Sequence, residues 1–598
     1  MDTFAKILPN LKKFKEYIED VSKSNFPINL SGLNDSAKSH FIYATKYYTN
    51  RPVLVVTYND IELKKIKKDL DFFTDENITI FPKRDIVYYD VETTNKDAVM
   101  DRLSVYSKLY NSQNLIILTT IEALMQKTLP KSKLFKDVIE IEIGKEYKLE
   151  NIKQRLINLG YERDDLCDSR GKFSMRGGII DVFPLNTKHP MRIEFWGDEV
   201  DSIRYFDATS QRSIDTLNSI SIFPVDEFLV EKEKLPKIAK DILKKYPEKE
   251  DDADEILNGN YQNKIEKYFE FFFNNTVTLL DYILKDTILF IDEPSRIKSK
   301  CQSIEFENKE ILNQYLEKYK INHSYTSSMA SFAQTVMTLE ELNTINLYRI
   351  DENMLAKRNG YSFSCREVNF FRGEVDIFVQ EIEEERKRGK KIIYLSNTPS
   401  KCKTVEALLQ EHNINALYVS KENIKKLDAV ILEKANQLPI FILEGSLNNS
   451  IAYLDLDIII TSENENLVVK EKKKSYKPKA FLDGKKVVFA DLKVGDYVVH
   501  SSHGIGKYLG IFSLTVEGIR KDFLKIEYKD SDTLYVPTVS LDTVRKYIGQ
   551  DEDYKPKLNK LGSKDFEKIK SKVKSSVKDI AKQLVMLYSK RAAEVGYS

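Results

Sequence analysis

The residues best placed to do chemistry lie in INLSGLNDSAKSHFIYA (28–44) and TILFIDEP (287–294). A phosphate-binding loop follows G-x-x-x-x-G-K-[ST] between a strand and a helix. Gly32, Lys38 and Ser39 fall in register with that pattern, and Ala37 stands where the second glycine belongs. In such a loop successive backbone N–H groups point at the phosphates and the lysine neutralises their charge. Glycine before the lysine keeps a Cβ out of the way, and Ala37 adds one methyl group there. The apolar run ending in Asp292 and Glu293 is the matching half, an aspartate for Mg²⁺ and a glutamate for the attacking water. A working motor also closes a second lobe over the nucleotide and supplies an arginine finger. No Q-x-x-G-R-x-x-R run occurs between 300 and 598, and no second phosphate loop occurs anywhere. The expectation is a catalytically silent remnant. Nucleotide binding without turnover and an active ATPase are the alternatives, and a solvated helix residue is the plainest account of Lys38.

These residues need an α/β body to position them. Strand-like runs PVLVVTY (52–58), ITIF (78–81) and LIILTT (115–120) alternate with helical patterns across 1–145, as parallel βαβ units do. The N-terminal stretch MDTFAKILPNLKKFKEYIED reads as one amphipathic helix. From 146 to 225 long strand-like segments broken by turns predict a small α+β insert. An α/β stretch follows over 226–355 and carries Asp292 and Glu293. Another α/β unit spans 363–468, with KKIIYLSN as a strand and SKCKTVEALLQEHNI as a helix. A Lys-rich linker over 469–489 includes KEKKKSYKPK, a solvated tether or a DNA contact. Residues 490–548 have the short runs, glycine turns and alternation of a small SH3-like β-barrel. Apolar residues recurring at three- and four-residue steps from Phe566 to Leu587 predict a long helix over 560–597.

Bulk properties narrow the class. The chain of 598 residues is too long for one core. Its formal net charge of +1 gives little bulk attraction to phosphate backbones, so a nucleic-acid role would need a local patch. No apolar run approaches the ~20 residues of a membrane span. Cys167, Cys301, Cys365 and Cys402 form no C-x-x-C pair, which points away from a zinc ribbon or a disulfide framework and toward a reducing cytoplasm. His500 and His503 make an H-x-x-H pair, whose rings would point to opposite faces of a strand, so no metal is expected.

SRGKFSMRGGIIDVFPLNTKHPMRIEFWGDEVDSIRYFD (169–207) and DYVVHSSHGIGKYLGI (496–511) carry a resemblance. With the degenerate loop before them, they resemble the N-terminal portion of the bacterial transcription-repair coupling factor family, across essentially the whole chain. The first segment is also similar to the UvrA-binding domain of UvrB. The resemblance implies a multidomain α/β fold: a degenerate RecA-like lobe (UvrB domain 1a-like), an inserted UvrA-binding domain (UvrB domain 2-like), a UvrB domain 1b-like part, a third α/β domain, an RNA-polymerase-interacting barrel and a relay helix. A double-stranded DNA translocase follows in the family, whereas this sequence ends at RAAEVGYS.

The resemblance also implies partners and sites. UvrA would bind Arg176, Arg192 and Trp196 on one sheet face. Arg192 and Trp196 are four apart and share a face of a strand, and arginine and tryptophan are enriched at binding hot spots. Ser174 stands where UvrB-like proteins carry a further arginine, so the contact here would be thinner. The RNA polymerase β subunit would pair an edge strand with the barrel, where Leu514 falls at a critical leucine. ATP and Mg²⁺ would serve the family through its translocase, with none expected on this chain, and contact with double-stranded DNA would run mainly through that translocase. No membrane partner is expected. The leading function is thus an adaptor in transcription-coupled repair. A UvrB-like ATPase engaging damaged DNA would require turnover that Lys38→Ala abolishes. A transcription regulator using only the barrel would be indifferent to deletion of 146–225.

Overall fold

The computed structural model describes residues 2–84, 96–112, 114–208, 210–318, 328–350, 359–368, 375–426, 439–462, 494–500, 503–516, 519–529, 532–537, 544–547 and 556–560. The Lys-rich linker and, beyond Lys560, the expected relay helix lie outside them. The described residues divide into two compact units. The larger takes those up to Lys249 and from Phe269 to Ser462, and the smaller takes 250–268 and those from 494 on.

In the larger unit the apolar runs form a seven-stranded sheet in the order Gly360–Ser362, Ile28–Ser31, Asn343–Leu347, Ile288–Asp292, Val53–Thr57, Ile116–Thr120, Ile78–Phe81. Every pair in it is parallel. Ile28–Ser31, Val53–Thr57, Ile116–Thr120 and Ile288–Asp292 are buried along their whole length, as continuous apolar runs in a parallel sheet require. The segments 1–145 and 226–355 therefore build one sheet, and the insert interrupts it. The expected single N-terminal helix is broken into Asp2–Ala5, a 3₁₀ turn Leu8–Asn10 and Phe14–Ser22. Pro9 explains the break, because proline lacks the N–H that a continuous helix needs.

The insert opens and closes with an antiparallel pair, Ile139–Glu142 against Ser219–Ile222. Between them a six-stranded sheet runs Ser213–Leu217, Glu199–Phe206, Met191–Trp196, Ile179–Val182, Lys172–Arg176, Glu162–Arg163. Its inward face packs on the helix Leu149–Asn158 through Phe173, Ile180, Ile193, Ile152 and Leu156. The exit is anchored by a buried pair, Arg102 Nε to Glu227 Oε2 at 2.8 Å and Nη2 to Oε1 at 2.9 Å. Burial works to raise the Glu227 pKa, but Arg102 overrides it and holds the carboxyl at about 2.

Residues 363–462 form a second α/β sheet, ordered Cys365–Arg366, Ile451–Tyr453, Ile458–Ser462, Lys391–Ser396, Ile440–Glu444, Ala416–Val419. Its face shares one apolar core with the first lobe, where Ile393, Leu443, Tyr453 and Ile460 join Phe4, Phe41, Phe72 and Phe73.

The smaller unit holds a five-stranded antiparallel sheet, Thr533–Pro537, Ile519–Glu527, Gly504–Val516, Tyr497–His500, Val544–Lys546, around Val498, Tyr508, Leu524, Ile526 and Val536. No ladder joins its two edge strands among the described residues.

Candidate functional sites

The phosphate-loop remnant is filled by its own side chains. After the strand Ile28–Ser31 the helix starts at Asp35, three residues before Lys38. Asn34 caps it, its side chain accepting from Ala37 N at 2.9 Å. The backbone that would wrap a phosphate is therefore already helical, and a first-turn donor is taken. That difference outweighs the methyl of Ala37. Gly32 is required for another reason: at φ +71° its Cβ would sit 2.0 Å from the carbonyl oxygen of Phe363. The loop is thus roofed by backbone at Phe363 and Cys365, whose N–H groups bond Ser31 and Gly32 carbonyls.

Lys38 is 3% exposed, and its Nζ lies 2.6 Å from both Asp292 Oδ1 and Glu293 Oε1. The residues assigned to the two halves of a nucleotide site have neutralised each other, so the solvated account of Lys38 is overturned. Burial opposes the lysine's charge, but the two carboxylates prevail and raise its pKa. Burial also pushes Asp292 up, and Lys38 offsets only part of this. Glu293 holds a left-handed φ of +54°, a strained choice for a residue with a side chain. Its Oε1 also accepts from Arg349 N at 2.8 Å. Ser39, the position expected for a metal ligand, is fully buried, and its hydroxyl has no hydrogen-bond partner among the described residues.

The third domain seals the same end. Asn34 Nδ2 donates to Ser450 O at 2.7 Å, Ser36 Oγ donates to Asp69 at 2.7 Å, and Asn449 N donates to Ser36 Oγ at 2.9 Å. Asp69 Oδ1 accepts from both Asn448 N and Asn448 Nδ2 at 2.8 Å. Sequence inspection missed this joint, although Asn34 ahead of an apolar-periodic helix carried a capping signal. Burial raises Asp69 to about 6 against these hydrogen bonds. The folded state therefore holds a proton that the unfolded chain releases near pH 4, and this carboxyl's contribution to stability falls as pH rises from about 4 to about 6. Asp69→Asn removes that slope. Its stability relative to wild type should improve by about 2 kcal/mol between about pH 4.5 and about pH 7, measured by urea unfolding.

The insert presents a second candidate. Cross-strand register sets Ser174, Asp181, Arg192 and Arg204 in one row on the outward face, and Arg176, Ile179 and Glu194 in the next. Trp196 follows at the end of its strand and is 85% exposed. Arg176 is exposed as well, and the turn after it reaches the strand of Trp196, with Phe195 N donating to Gly178 O at 2.8 Å. Arg192 shares the face but is committed. It forms a bidentate pair with Asp181 at 2.7 and 2.8 Å and lies over the Phe206 ring at 4.5 Å. Hydrogen bonding to Asp181 raises its pKa. Glu194 is bound by Arg204.

In the smaller unit Leu514 lies on the strand Gly504–Val516, opposite Lys521. From Gly510 to Val516 this strand is paired on one side only among the described residues. The rings of His500 and His503 do not point to opposite faces. They stack at 4.7 Å, because His503 lies past the end of the strand and not on it. Burial and the neighbouring ring hold His500 down at about 4. No cluster of three metal-ligating side chains occurs among the described residues.

Residues 139–228 match the UvrB interaction domain, and residues 492–548 match the CarD-like/TRCF RID domain. The chain is 32% identical over its whole length to the transcription-repair-coupling factor of Bacillus subtilis, covering 51% of that protein. Over that length it is similar to transcription-repair-coupling factors. The Staphylococcus aureus protein of the same name is 29% identical over 99% of the chain, with 51% of its own length covered. The chain thus spans about half the length of the curated relatives it matches. A solved structure, that of S. tokodaii Xpd4, aligns at 10% identity with a TM-score of 0.15 over 72% of this chain and 80% of its own. The first match begins at the strand Ile139–Glu142 and runs past its partner Ser219–Ile222 to residue 228, so it starts before and ends after the expected insert at 146–225. No helix among the described residues is long and apolar enough to cross a membrane.

Proposed function

We propose that the chain is the adaptor part of a transcription-coupled repair factor, with one docking face for UvrA and another for RNA polymerase. The observation that carries this reading is Trp196, a large aromatic left 85% exposed on the same sheet face as Arg176, in the domain that matches the UvrB interaction model. Leaving such an apolar surface in water fits a face that a partner covers. Arg176 and Trp196 make the contact. Arg192 keeps the face flat through its pair with Asp181 and contributes less directly. The nucleotide-lobe remnant serves as a rigid frame, and ATP-driven translocation on double-stranded DNA belongs to the remainder of the full-length family protein.

The polymerase face uses the open edge Gly510–Val516 within an SH3-like barrel. An edge strand of the polymerase β subunit adds to it, backbone hydrogen bonds supplying affinity and Leu514 the register. Leu514→Ala should weaken capture of a β-subunit fragment by about tenfold while UvrA capture stays at the wild-type level. Equal capture of the fragment by the variant and wild type would remove Leu514 from this role. The cytoplasm, where both partners work, is the compartment this reading implies.

A further inference from the structure

The third domain has a feature that neither docking face uses. Its adjacent parallel strands Lys391–Ser396 and Ile440–Glu444 send the chain in opposite directions. The first leads through the helix Pro399–Glu411 to Ala416–Val419 at one edge, and the second leads to Ile451–Tyr453 and Ile458–Ser462 on the other side. Such a switch opens a crevice at the carboxyl ends of the two strands, where open α/β sheets bind ligands. A cleft of about 380 Å³ lies there, lined by Asn397 and Ser446, which come just after the two strand ends.

The opposite wall is basic. The first-lobe helix Asp60–Phe73 turns Lys64, Lys67 and Lys68 into the cleft. The two lining carboxylates are already engaged. Asp71 is paired with Lys67 at 2.5 Å, and Glu444 accepts from Tyr418 at 2.5 Å. Lys64 and Lys68 are exposed and form no ion pair among the described residues. The walls pack directly on each other, since Gly445 lies so close to Phe72 that a Cβ would come within 2.3 Å of the ring. Asn448 is bonded to Asp69 on the same helix. Lys64, Lys67 and Lys68 outnumber Asp71 and Glu444 in the lining, so a net positive charge, an amide and a hydroxyl converge on one crevice, and preorganisation of this kind lowers the ordering cost of binding.

We propose that this cleft binds a phosphate-bearing anion, held by Lys64 and Lys68 against Asn397 and Ser446. The anion is either a free phosphate compound or a phosphate of a nucleic-acid backbone. The test is calorimetric titration of the whole chain at low salt with inorganic pyrophosphate and, separately, with a short DNA duplex. Wild type is compared with Lys64→Glu/Lys68→Glu and with a control reversal, Lys237→Glu/Lys240→Glu, on the exposed side of the helix Leu235–Lys245. The cleft reversal should weaken binding by at least about tenfold, and the control should not. Sensitivity with pyrophosphate marks a free ligand, and sensitivity with the duplex alone marks backbone phosphate. Because Lys64 and Lys68 are exposed, unfolding midpoints stay at the wild-type value and certify the fold. Absence of binding to either probe, or equal loss in the control, overturns the proposal.

Discussion

Lys38→Ala destabilises the larger unit by about 3–5 kcal/mol, the usual cost of breaking a buried ion pair by removing one partner. The variant leaves Asp292 and Glu293 facing each other without their shared cation, Asp292 at 4% exposure. Burial then goes uncorrected, and the aspartate takes up a proton. The loss is measured by chemical denaturation. Lys38→Ala/Asp292→Asn/Glu293→Gln should recover much of the loss, since it removes the whole charge group and leaves no unpaired ion. ATP turnover is the second readout. The cation that would meet a phosphate is spent on two carboxylates and the loop is already a capped helix, so wild type and Lys38→Ala should share the same baseline. A midpoint unchanged in Lys38→Ala would mean the triad carries no weight. Brisk hydrolysis by wild type that disappears in the variant would restore the ATPase alternative.

The sequence spelled out the elements more fully than their partnerships. Runs such as LVVT, IILTT and LFID are β-branched or apolar throughout and stop at polar residues, so their strands were legible, as was the insert. Those features depend on neighbours within about ten residues. The fate of Lys38 does not, because its carboxylate partners lie 254 and 255 residues away and could be read only as chemistry in waiting. The same holds for Asp69 with Asn448, 379 residues apart. Asp181 lies only 11 residues from Arg192, yet their pairing depends on strand register, which a shift of one residue would reverse. His500 and His503 failed for a smaller reason: period-two geometry was applied across a strand end. Pro9 interrupts an otherwise continuous amphipathic pattern.

Arg176→Ala/Trp196→Ala abolishes UvrA capture, with affinity falling by about a hundredfold or more. Truncating each hot-spot residue costs about 2 kcal/mol or more, and every 1.4 kcal/mol is tenfold. Fold stability moves little, because Trp196 is 85% exposed and Arg176 is exposed, so neither leaves a cavity. Arg192→Ala behaves differently. It strands Asp181, which is 3% exposed and accepts both guanidinium bonds, so it lowers insert stability together with UvrA affinity. Arg192→Ala/Asp181→Ala removes the buried charge as well, and it separates the two effects. If Arg192 only supports the sheet, the double variant regains stability and most of the affinity. If its guanidinium reaches UvrA, stability returns and affinity does not. Surface-captured UvrA titrated with each variant, beside thermal unfolding of the same samples, distinguishes these outcomes. UvrA affinity unchanged in Arg176→Ala/Trp196→Ala removes this face from recognition, whatever the insert's family.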